Sequence, residues 1–366
     1  MNLRIVGPTP MPDPVREALA RPMVNHRGPE FAELTADVIR RMQWAYQTRN
    51  EVLLLSCSGT GALEAAVANT ISPGDRVVAQ CIGVFGDRFA NIARAFGADL
   101  TRLDYEWGQP ADPDLLRDHL RANPGCKAVL FTANETSTGV LNPVQELAAV
   151  IRAESDALVV VDAISALGAV DIPVDEWGLD VVLTGSQKAW MLPPGMAMAS
   201  VSPRAWRAAE SVTSPRFYFD FRSYRKSQAR KQSPYTPPVG LFFALQEALK
   251  LIEAEGLREC FQRHLRVARH TRQSVQQLGL ELFPAEGFWS PTVTAIKAPA
   301  GTDADELRAI MRQEYDVVAA GGQQDLKGKI LRFGHMGSVF EADMDDAVRA
   351  LAGALTRSGV ENTHRK

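Results

Sequence analysis

The chain has 366 residues, which is long enough for one large domain and a smaller one. With 46% hydrophobic and 23% charged residues it has an ordinary globular composition, and a formal net charge of −3 gives no reason to expect nucleic acid or an anionic membrane as a partner. The four cysteines show no C-x-x-C spacing, which argues against a metal site or a disulfide framework and fits a reducing cytosol. The N-terminus has no apolar signal core, and no run reaches the ~18 apolar residues of a membrane span.

The first half of the chain predicts an alternation of strands and helices. Prolines in residues 1–20 predict an extended N-terminal arm. After a turn that carries His26 and Arg27, apolar residues at helical spacing predict a helix over 30–47. The strands predicted beyond it are 52–55, 76–79, 99–103, 127–132, 158–162 and 181–184, and the helices between them are 62–69, 86–96, 112–121 and 144–154. Such units with nearly continuous apolar strands predict a three-layer α/β/α fold around a mostly parallel sheet.

The composition changes after Pro203. Residues 216–231 are rich in aromatic and cationic side chains, and because the whole chain is acidic they indicate a solvated face or a subunit contact rather than nucleic-acid binding. A long amphipathic helix over 239–255 ends at Gly256, a plausible helix C-cap. We place the boundary there, with a large domain over 21–255 and a small α+β domain over 256–366. In the small domain we predict helices 257–278, 303–314 and 343–356, strands 293–297 and 330–333, and fraying over 360–366.

Two strand ends carry the residues with the clearest chemical potential. Lys188 follows strand 181–184 after a short polar turn, and Asp162 ends strand 158–162. Ligands of open α/β sheets bind beyond the carboxyl ends of the strands, and a lysine desolvated there favours its neutral, nucleophilic form. A lone lysine after a strand is commonly a plain surface residue. Together with a strand-end aspartate, however, it makes the pair of protein groups that pyridoxal phosphate enzymes need.

A third strand end predicts an anion site. Strand 52–55 leads into Ser58-Gly59-Thr60-Gly61 and then a helix, the layout that binds phosphate at a helix N-terminus. Such turns also serve plain packing. The polar loop that begins at Asn134 follows another strand, so the loops from Ser58, Asn134 and Asp162 are expected to meet Lys188 in one cleft.

Several motifs occur together in one order. They are Gly7-Pro8-Thr9-Pro10, Ser58-Gly59-Thr60-Gly61-Ala62-Leu63-Glu64-Ala65, Glu135-Thr136-Ser137-Thr138-Gly139-Val140, Val161-Asp162, Gly185-Ser186-Gln187-Lys188-Ala189, Pro193-Pro194-Gly195, Thr236-Pro237-Pro238 and Gly328-Lys329-Ile330-Leu331-Arg332-Phe333-Gly334. In these the chain resembles the class V (fold type I) pyridoxal-phosphate-dependent aminotransferases, and most of all the alanine/serine–glyoxylate aminotransferase group. The resemblance covers nearly the whole chain. It is specific for fold and cofactor and much less specific for substrate.

The resemblance implies a role for each matched position. Lys188 is the Schiff-base lysine that also moves the substrate proton, and Asp162 partners the pyridine nitrogen. Arg332 binds the substrate α-carboxylate. Phe85 lies where the family stacks an aromatic ring on the cofactor, although an ordinary core position is the alternative. The other implied cofactor-binding residues are Ser58, Gly59, Thr60, Thr136, Ile164, Gln187, Tyr235 and Thr236, and Gly7 is assigned to the substrate pocket.

In this family the loop that contains Thr236 crosses a dimer interface to the neighbour's phosphate, which implies a homodimer with shared active sites. Some relatives have a tyrosine three positions before the threonine, where this chain has Ser233, so the sequence leaves open whether Tyr235 substitutes for it. His26 and Arg27 lie where related phosphoserine aminotransferases hold the distal anion of their substrate, and a structural role is the alternative.

The expected function is a cytoplasmic aminotransferase with pyridoxal 5'-phosphate and no metal. It would move the amino group of alanine or serine to glyoxylate or pyruvate by a ping-pong mechanism. The alternatives are an aspartate- or phosphoserine-type aminotransferase, a class V lyase or cysteine desulfurase, and a non-catalytic subunit of another complex. Desulfurases usually need a mobile C-terminal-domain cysteine, which residues 321–327 lack, and a non-catalytic subunit has no need of Lys188 and Asp162.

Overall fold

The computed structural model describes residues 1–359, so the fraying predicted for 360–366 lies outside the described part of the chain. The strands are β1 (Asn2–Arg4), β2 (Glu51–Leu55), β3 (Arg76–Cys81), β4 (Asp99–Asp104), β5 (Ala128–Thr132), β6 (Asn134–Glu135), β7 (Val140–Leu141), β8 (Leu158–Asp162), β9 (Val181–Gly185), β10 (Ala197–Val201), β11 (Val293–Lys297), β12 (Val317–Gly321) and β13 (Ile330–Gly334). The helices are α1 (Asp13–Leu19), α2 (Pro29–Tyr46), α3 (Gly59–Thr70), α4 (Val84–Ala95), α5 (Pro113–Ala122), α6 (Val144–Glu154), α7 (Pro203–Ser211), α8 (Phe221–Gln228), α9 (Val239–Glu255), α10 (Leu257–Gln277), α11 (Ala304–Tyr315) and α12 (Glu341–Arg357).

A seven-stranded sheet in the order β2-β10-β9-β8-β5-β3-β4 organises the large part of the molecule. Among these strands β10 alone runs opposite to the other six, so the predicted mostly parallel sheet is confirmed. Side chains alternate between the two faces of a strand. Along β8, Val159 and Val161 join one buried cluster and Leu158 and Val160 join the other. Because both faces of the sheet are covered, apolar residues occupy consecutive positions along each strand, and these apolar runs allow the strands to be predicted from the sequence.

A second sheet of four strands, in the order β1-β12-β13-β11, packs with helices α10, α11 and α12. Its edge strand β1 runs parallel to β12 and comes from residues 2–4. The beginning of the segment expected to be an extended arm is therefore part of the sheet that residues beyond 256 otherwise form. The boundary at residue 256 stays our prediction. Within residues 1–359, no helix is both long and apolar enough to cross a membrane.

The fold brings four chain segments to one edge of the large sheet. Strand β8 ends at Asp162, and β9 ends three residues before Lys188. Strand β2 leads into the N-terminus of α3, and β5 leads into the loop that begins at Asn134. These strands are parallel to one another, β2 through its antiparallel neighbour β10, so their carboxyl ends point to the same side. This edge is where ligands of open α/β sheets bind.

Candidate active site

A cavity of about 200 Å³ lies at this edge of the sheet. The sequence-predicted site residues that line it are Ser58, Gly59, Thr60, Phe85, Thr136, Asp162, Ile164, Gln187 and Lys188. Leu63, Arg88, Asn134 and Ser165 line it as well. The structure therefore brings together residues from five segments of the chain, four that follow strand ends and the start of α4.

Lys188 is buried, with 8% of its surface exposed. Burial lowers the pKa of its ammonium group to about 8, and the positive charges of Arg332 and Arg88 act in the same direction. The negative charge of Asp162 opposes them. A lysine with a lowered pKa has a larger neutral fraction near pH 7 and is a better nucleophile toward a carbonyl group.

The N-terminal segment closes over Lys188. The Nζ atom donates a hydrogen bond to the carbonyl oxygen of Val6, and Thr9 Oγ1 donates to the carbonyl oxygen of Lys188 at 2.9 Å. Gly7 has a φ of +120°, and a Cβ atom there would lie 2.7 Å from Nζ. Only glycine fits at this position, because both the backbone conformation and the space exclude a side chain. Gly7 thus lies against the amine of Lys188, and its place in the substrate pocket stays a prediction.

Asp162 is buried with 4% exposure, and its Oδ1 accepts a 2.9 Å hydrogen bond from the Ile164 amide. Burial raises the pKa of this carboxyl group to about 7, the charge of Glu135 raises it further, and the Ile164 amide and the charge of Lys188 oppose the shift. Because ionising this buried carboxyl group alone is costly, a cationic partner in the cavity would strongly stabilise its ionised form.

The N-terminus of α3 forms the anion-binding end of the cavity. Ser58 is the N-cap, and its Oγ accepts from the Gly61 amide at 3.4 Å. The Gly59 and Thr60 amides precede the first hydrogen bond within the helix, so they remain donors for a ligand, and the positive end of the helix dipole favours an anion. Gln187, which is half-buried, lines the same cavity, and its Oε1, an acceptor, has no partner within the described residues.

Phe85 and Arg88 lie one turn apart on α4 and both line the cavity. The Arg88 guanidinium carbon is 4.8 Å from the centroid of the Phe85 ring, and Arg88 Nη1 donates to Thr60 Oγ1 at 3.0 Å. The sequence analysis missed Arg88. Its spacing of three residues from Phe85 places both on one face of a helix, which is the signal that could have found it.

A buried polar network lies at the wall of the cavity. Ser165 Oγ accepts from Asn134 Nδ2 at 2.9 Å and from Thr136 Oγ1 at 2.7 Å. Thr292, which precedes β11, donates from Oγ1 to the carbonyl oxygen of Ser165 at 2.9 Å. The sequence did not single out Ser165 or Thr292, because nothing in their local patterns indicates a contact across 127 positions.

Arg332 is buried beside this wall on β13. Its Nη1 donates to the carbonyl oxygen of Thr136 at 2.7 Å, and its Nε and Nη2 donate to that of Gly321 at 2.9 and 2.5 Å. Burial lowers the pKa of the guanidinium to about 10, and the negative charge of Glu135 opposes this shift. Its direct partners are neutral carbonyl groups, so its charge remains available to an anionic ligand.

Six predicted site residues do not line the cavity. Gly7 and Arg332 contact residues that do, as described above, whereas His26, Arg27, Tyr235 and Thr236 lie elsewhere. Arg27 is exposed, and its Nη1 donates to the carbonyl oxygen of Ser233 at 2.7 Å, while His26 lies beside it in the turn. Tyr235 donates from its hydroxyl to the carbonyl oxygen of Phe217 at 2.8 Å, and Thr236 is exposed. In a single chain Arg27 thus tethers the 232–236 loop, and neither hydroxyl of that loop reaches the chain's own cavity.

The residues of the cavity fit pyridoxal 5'-phosphate. Lys188 offers an amine for its aldehyde, Asp162 a carboxylate for its ring nitrogen and Phe85 an aromatic face. The free amides at the start of α3 suit its phosphate.

A family model described as aminotransferase class-V matches residues 16–337. The chain is 46% identical over 363 residues to the "Soluble hydrogenase, small subunit" of Synechococcus sp. (strain PCC 6716), covering 98% of this chain and 94% of that protein. It is 38% identical over 346 residues to the L-aspartate–glyoxylate aminotransferase of Paracoccus denitrificans (strain Pd 1222), covering 92% and 87%. The crystal structure of alanine–glyoxylate aminotransferase from Nostoc sp. matches with a TM-score of 0.93 at 30% identity, covering 96% and 94%. These matches extend over nearly the full length of both chains.

Proposed function

The chain belongs to the class-V aminotransferase family with pyridoxal 5'-phosphate as cofactor, and on this premise we propose that it moves the amino group of alanine or serine to glyoxylate or pyruvate by a ping-pong mechanism. The observation that carries the proposal is the cavity that holds Lys188 and Asp162 together, with the guanidinium of Arg332 behind its wall. The relatives from Paracoccus and Nostoc both carry glyoxylate in their names, which supports this acceptor.

When bound, pyridoxal phosphate supplies an electron sink for the negative charge that develops at the substrate α-carbon as its proton leaves. Asp162 keeps a proton on the ring nitrogen. The buried carboxylate and a cationic nitrogen stabilise each other, since each lacks water as an alternative partner. Phe85 would offer its aromatic face to the ring, and the amides of Gly59 and Thr60 with the Ser58 hydroxyl would hold the phosphate.

Lys188 acts as the base and then as the acid. Its Nζ would take the proton from the substrate α-carbon and deliver it to C4′ of the cofactor, and a lowered pKa of about 8 suits both transfers. Val6 and Gly7 hold the amine in place and limit the access of water from that side.

Arg332 binds the α-carboxylate through its fork of donors. Both substrates carry this group, so one clamp serves both halves of the reaction. A second carboxylate on the substrate would need its own cation, because a buried unpaired carboxylate is costly. Arg27 is exposed and engaged with Ser233 in the single chain, which supports a preference for small substrates.

We further propose a homodimer in which the 232–236 loop completes the neighbour's phosphate site. The exposed hydroxyl of Thr236 supports this proposal, as does an adjoining aromatic patch. In the patch Tyr218 stacks on Tyr235 with ring centroids 4.8 Å apart, and Phe217 is 81% exposed. An exposed phenylalanine beside stacked tyrosines is typical of a surface that a partner covers.

The name of the Synechococcus relative raises the alternative of a subunit in a redox complex. Such a subunit would need neither Lys188 nor Asp162, and the presence of both in one cavity favours amino transfer. The desulfurase alternative requires a reactive thiol. Burial raises the pKa of Cys57 to about 12 and that of Cys260 to about 12, so both are poor nucleophiles. All four cysteines are free thiols, which supports a reducing compartment such as the cytosol.

The function is tested with the purified protein alone. We expect a yellow protein from which borohydride leaves the cofactor attached to the peptide that contains Lys188, found by mass spectrometry. Without any second protein, alanine or serine with glyoxylate should turn over. Colourless protein, or turnover that depends on another subunit, would contradict the proposal.

A further inference from the structure

The carboxylate of Glu135 is fully buried at the end of β6 and is surrounded by donors. Its oxygens accept hydrogen bonds from the Gly86 amide at 3.0 Å, from the Phe85 amide at 3.2 and 3.3 Å, and from the Ser137 amide at 3.1 Å. The Ser137 hydroxyl adds a bond of 2.5 Å. Such convergence of donors satisfies the ionised form of a carboxylate without a cation in direct contact.

Two of these donors belong to the first turn of α4. The N-cap of this helix is Gly83, which has no side chain to cap it, and Ser137 Oγ accepts from the Val84 amide at 3.0 Å. A Cβ atom on Gly83 would lie 2.5 Å from Ser137 Oγ and 2.6 Å from Glu135 Cγ. The glycine therefore makes room for a cap that comes from a loop about fifty residues away in the sequence.

Phe85 is the second residue of α4, and its ring lines the cofactor cavity. Glu135 binds the amide of Phe85 itself and that of Gly86 after it, so it fixes the backbone from which the ring projects. Arg88 also contacts the ring, because its guanidinium carbon lies 4.8 Å from the ring centroid and its Nη1 is bonded to Thr60.

We propose that Glu135 is a positioning residue for the cofactor, which sets the Phe85 ring through the first turn of α4. The inference rests on the proposed function, because it takes Phe85 as the residue that covers the cofactor ring. An anion also suits the site electrostatically, since the start of a helix carries partial positive charge. Glutamine has the same size, but its NH2 group would face one of the backbone amides and leave that donor unpaired.

The test compares Glu135→Gln with Glu146→Gln, a matched change of an exposed glutamate on α6. The dissociation constant of pyridoxal phosphate is measured by titrating each apoprotein, and the visible circular dichroism of the loaded protein reports the geometry of the ring. We expect Glu135→Gln to weaken cofactor binding by about tenfold and to reduce the dichroic band, as for the loss of one well-placed contact. At saturating cofactor the KM for the amino acid should stay within about threefold. Glu146→Gln should match the wild type in every measurement.

A double-mutant cycle separates positioning from plain structural support. If Glu135 acts through Phe85, adding Glu135→Gln to Phe85→Ala should change the cofactor dissociation constant by less than about twofold. Additive effects, or a lower melting temperature with unchanged cofactor affinity, would overturn the inference. An unchanged affinity in Phe85→Ala alone would instead remove Phe85 from the proposed site, so the two failures are distinct.

Should Glu135→Gln fail to fold, Ser137→Ala carries the test. It removes one donor to Glu135 and the cap on Val84 but leaves the carboxylate in place. We expect a cofactor dissociation constant raised about threefold, with hydrogen exchange increased at the amides of residues 84–86. Faster exchange there with unchanged cofactor affinity would show that the position of α4 is irrelevant to the cofactor and would overturn the inference.

Discussion

Arg332 donates a 2.7 Å hydrogen bond from Nη1 to the backbone carbonyl of Thr136, which ties the four-stranded sheet to a loop of the cofactor cavity. Thr136 in turn donates from its hydroxyl to Ser165 at 2.7 Å. The guanidinium is thereby held by groups that also form the wall of the cavity. If Arg332 binds the substrate carboxylate as proposed, this fixed guanidinium would set the position of the α-carbon relative to Lys188.

Arg332→Lys should lower kcat/KM by about 100-fold or more, which corresponds to ~2.7 kcal/mol, for every amino donor and every oxo acid. Lysine cannot bond Thr136 and Gly321 and still offer a planar fork to the carboxylate. Steady-state kinetics with several substrates provide the measurement. Arg312→Lys, an exposed arginine on α11, is the control and should retain wild-type rates. A loss confined to one substrate would show that another residue binds the α-carboxylate.

Lys188→Ala should abolish transamination, because no other group at that place can carry the proton. The apoprotein should still fold, and it should bind the cofactor without a covalent bond, since the amides at the start of α3 and the Asp162 carboxylate remain. Activity assays and equilibrium dialysis with pyridoxal phosphate give the two readouts. Turnover of this variant near the wild-type rate would contradict the assignment of Lys188 as the residue that transfers the proton.

Asp162→Asn should lower kcat by about two orders of magnitude or more while cofactor affinity falls modestly. An amide has nearly the same shape but cannot keep the ring nitrogen protonated. Single-turnover kinetics with alanine at saturating cofactor measure the effect. If the rate stays within a few-fold of the wild type, some other group protonates the ring, and the role of Asp162 is limited to packing.

The pH dependence of Lys188 in the apoprotein follows from its surroundings. Because burial lowers its pKa to about 8, the neutral fraction, and with it the rate of labelling by trinitrobenzenesulfonate, should rise about tenfold per pH unit below pH 8 and level off above it. The carboxylate of Asp162 raises this pKa, so Asp162→Asn should move the curve to lower pH. The labelled peptide is quantified by mass spectrometry. A midpoint near 10.4, the ordinary lysine value, would mean that the amine is hydrated.

Much of the fold could be predicted from the sequence because its strands are buried on both faces. Strands β8 and β11 and helices α6 and α9 begin and end where the apolar patterns indicated. Strand β10, by contrast, was missed. Val201 is its only β-branched residue, and the strand runs antiparallel between β2 and β9, outside the alternation of strands and helices.

The candidate site, like the fold, could be predicted from the sequence only in part. Residues next to a strand end or a glycine turn, such as Lys188 and Ser58, could be located from local patterns. The network around Glu135 and Ser165 could not, because their partners lie at least 29 positions away, apart from Ser137 beside Glu135. The role of such a buried polar group depends on the hydrogen-bond partners that the fold brings to it, so it can be recognised only in the tertiary structure.

A comparison of kcat/KM for several oxo-acid acceptors distinguishes a preference for small substrates from one for dicarboxylic substrates. The structure offers Arg332 as a buried clamp, and Arg27 is exposed and bonded to Ser233. We therefore expect glyoxylate or pyruvate to exceed 2-oxoglutarate in kcat/KM with alanine or serine as donor. Arg27→Ala should spare these reactions, and its effect should be confined to the cofactor affinity that the tethered 232–236 loop would provide in the proposed homodimer. If 2-oxoglutarate surpasses glyoxylate by tenfold, about 1.4 kcal/mol of transition-state preference, then a second cation holds the distal carboxylate. The enzyme would then belong with the aspartate type, and Arg27→Ala and Arg88→Ala would show which arginine supplies that cation.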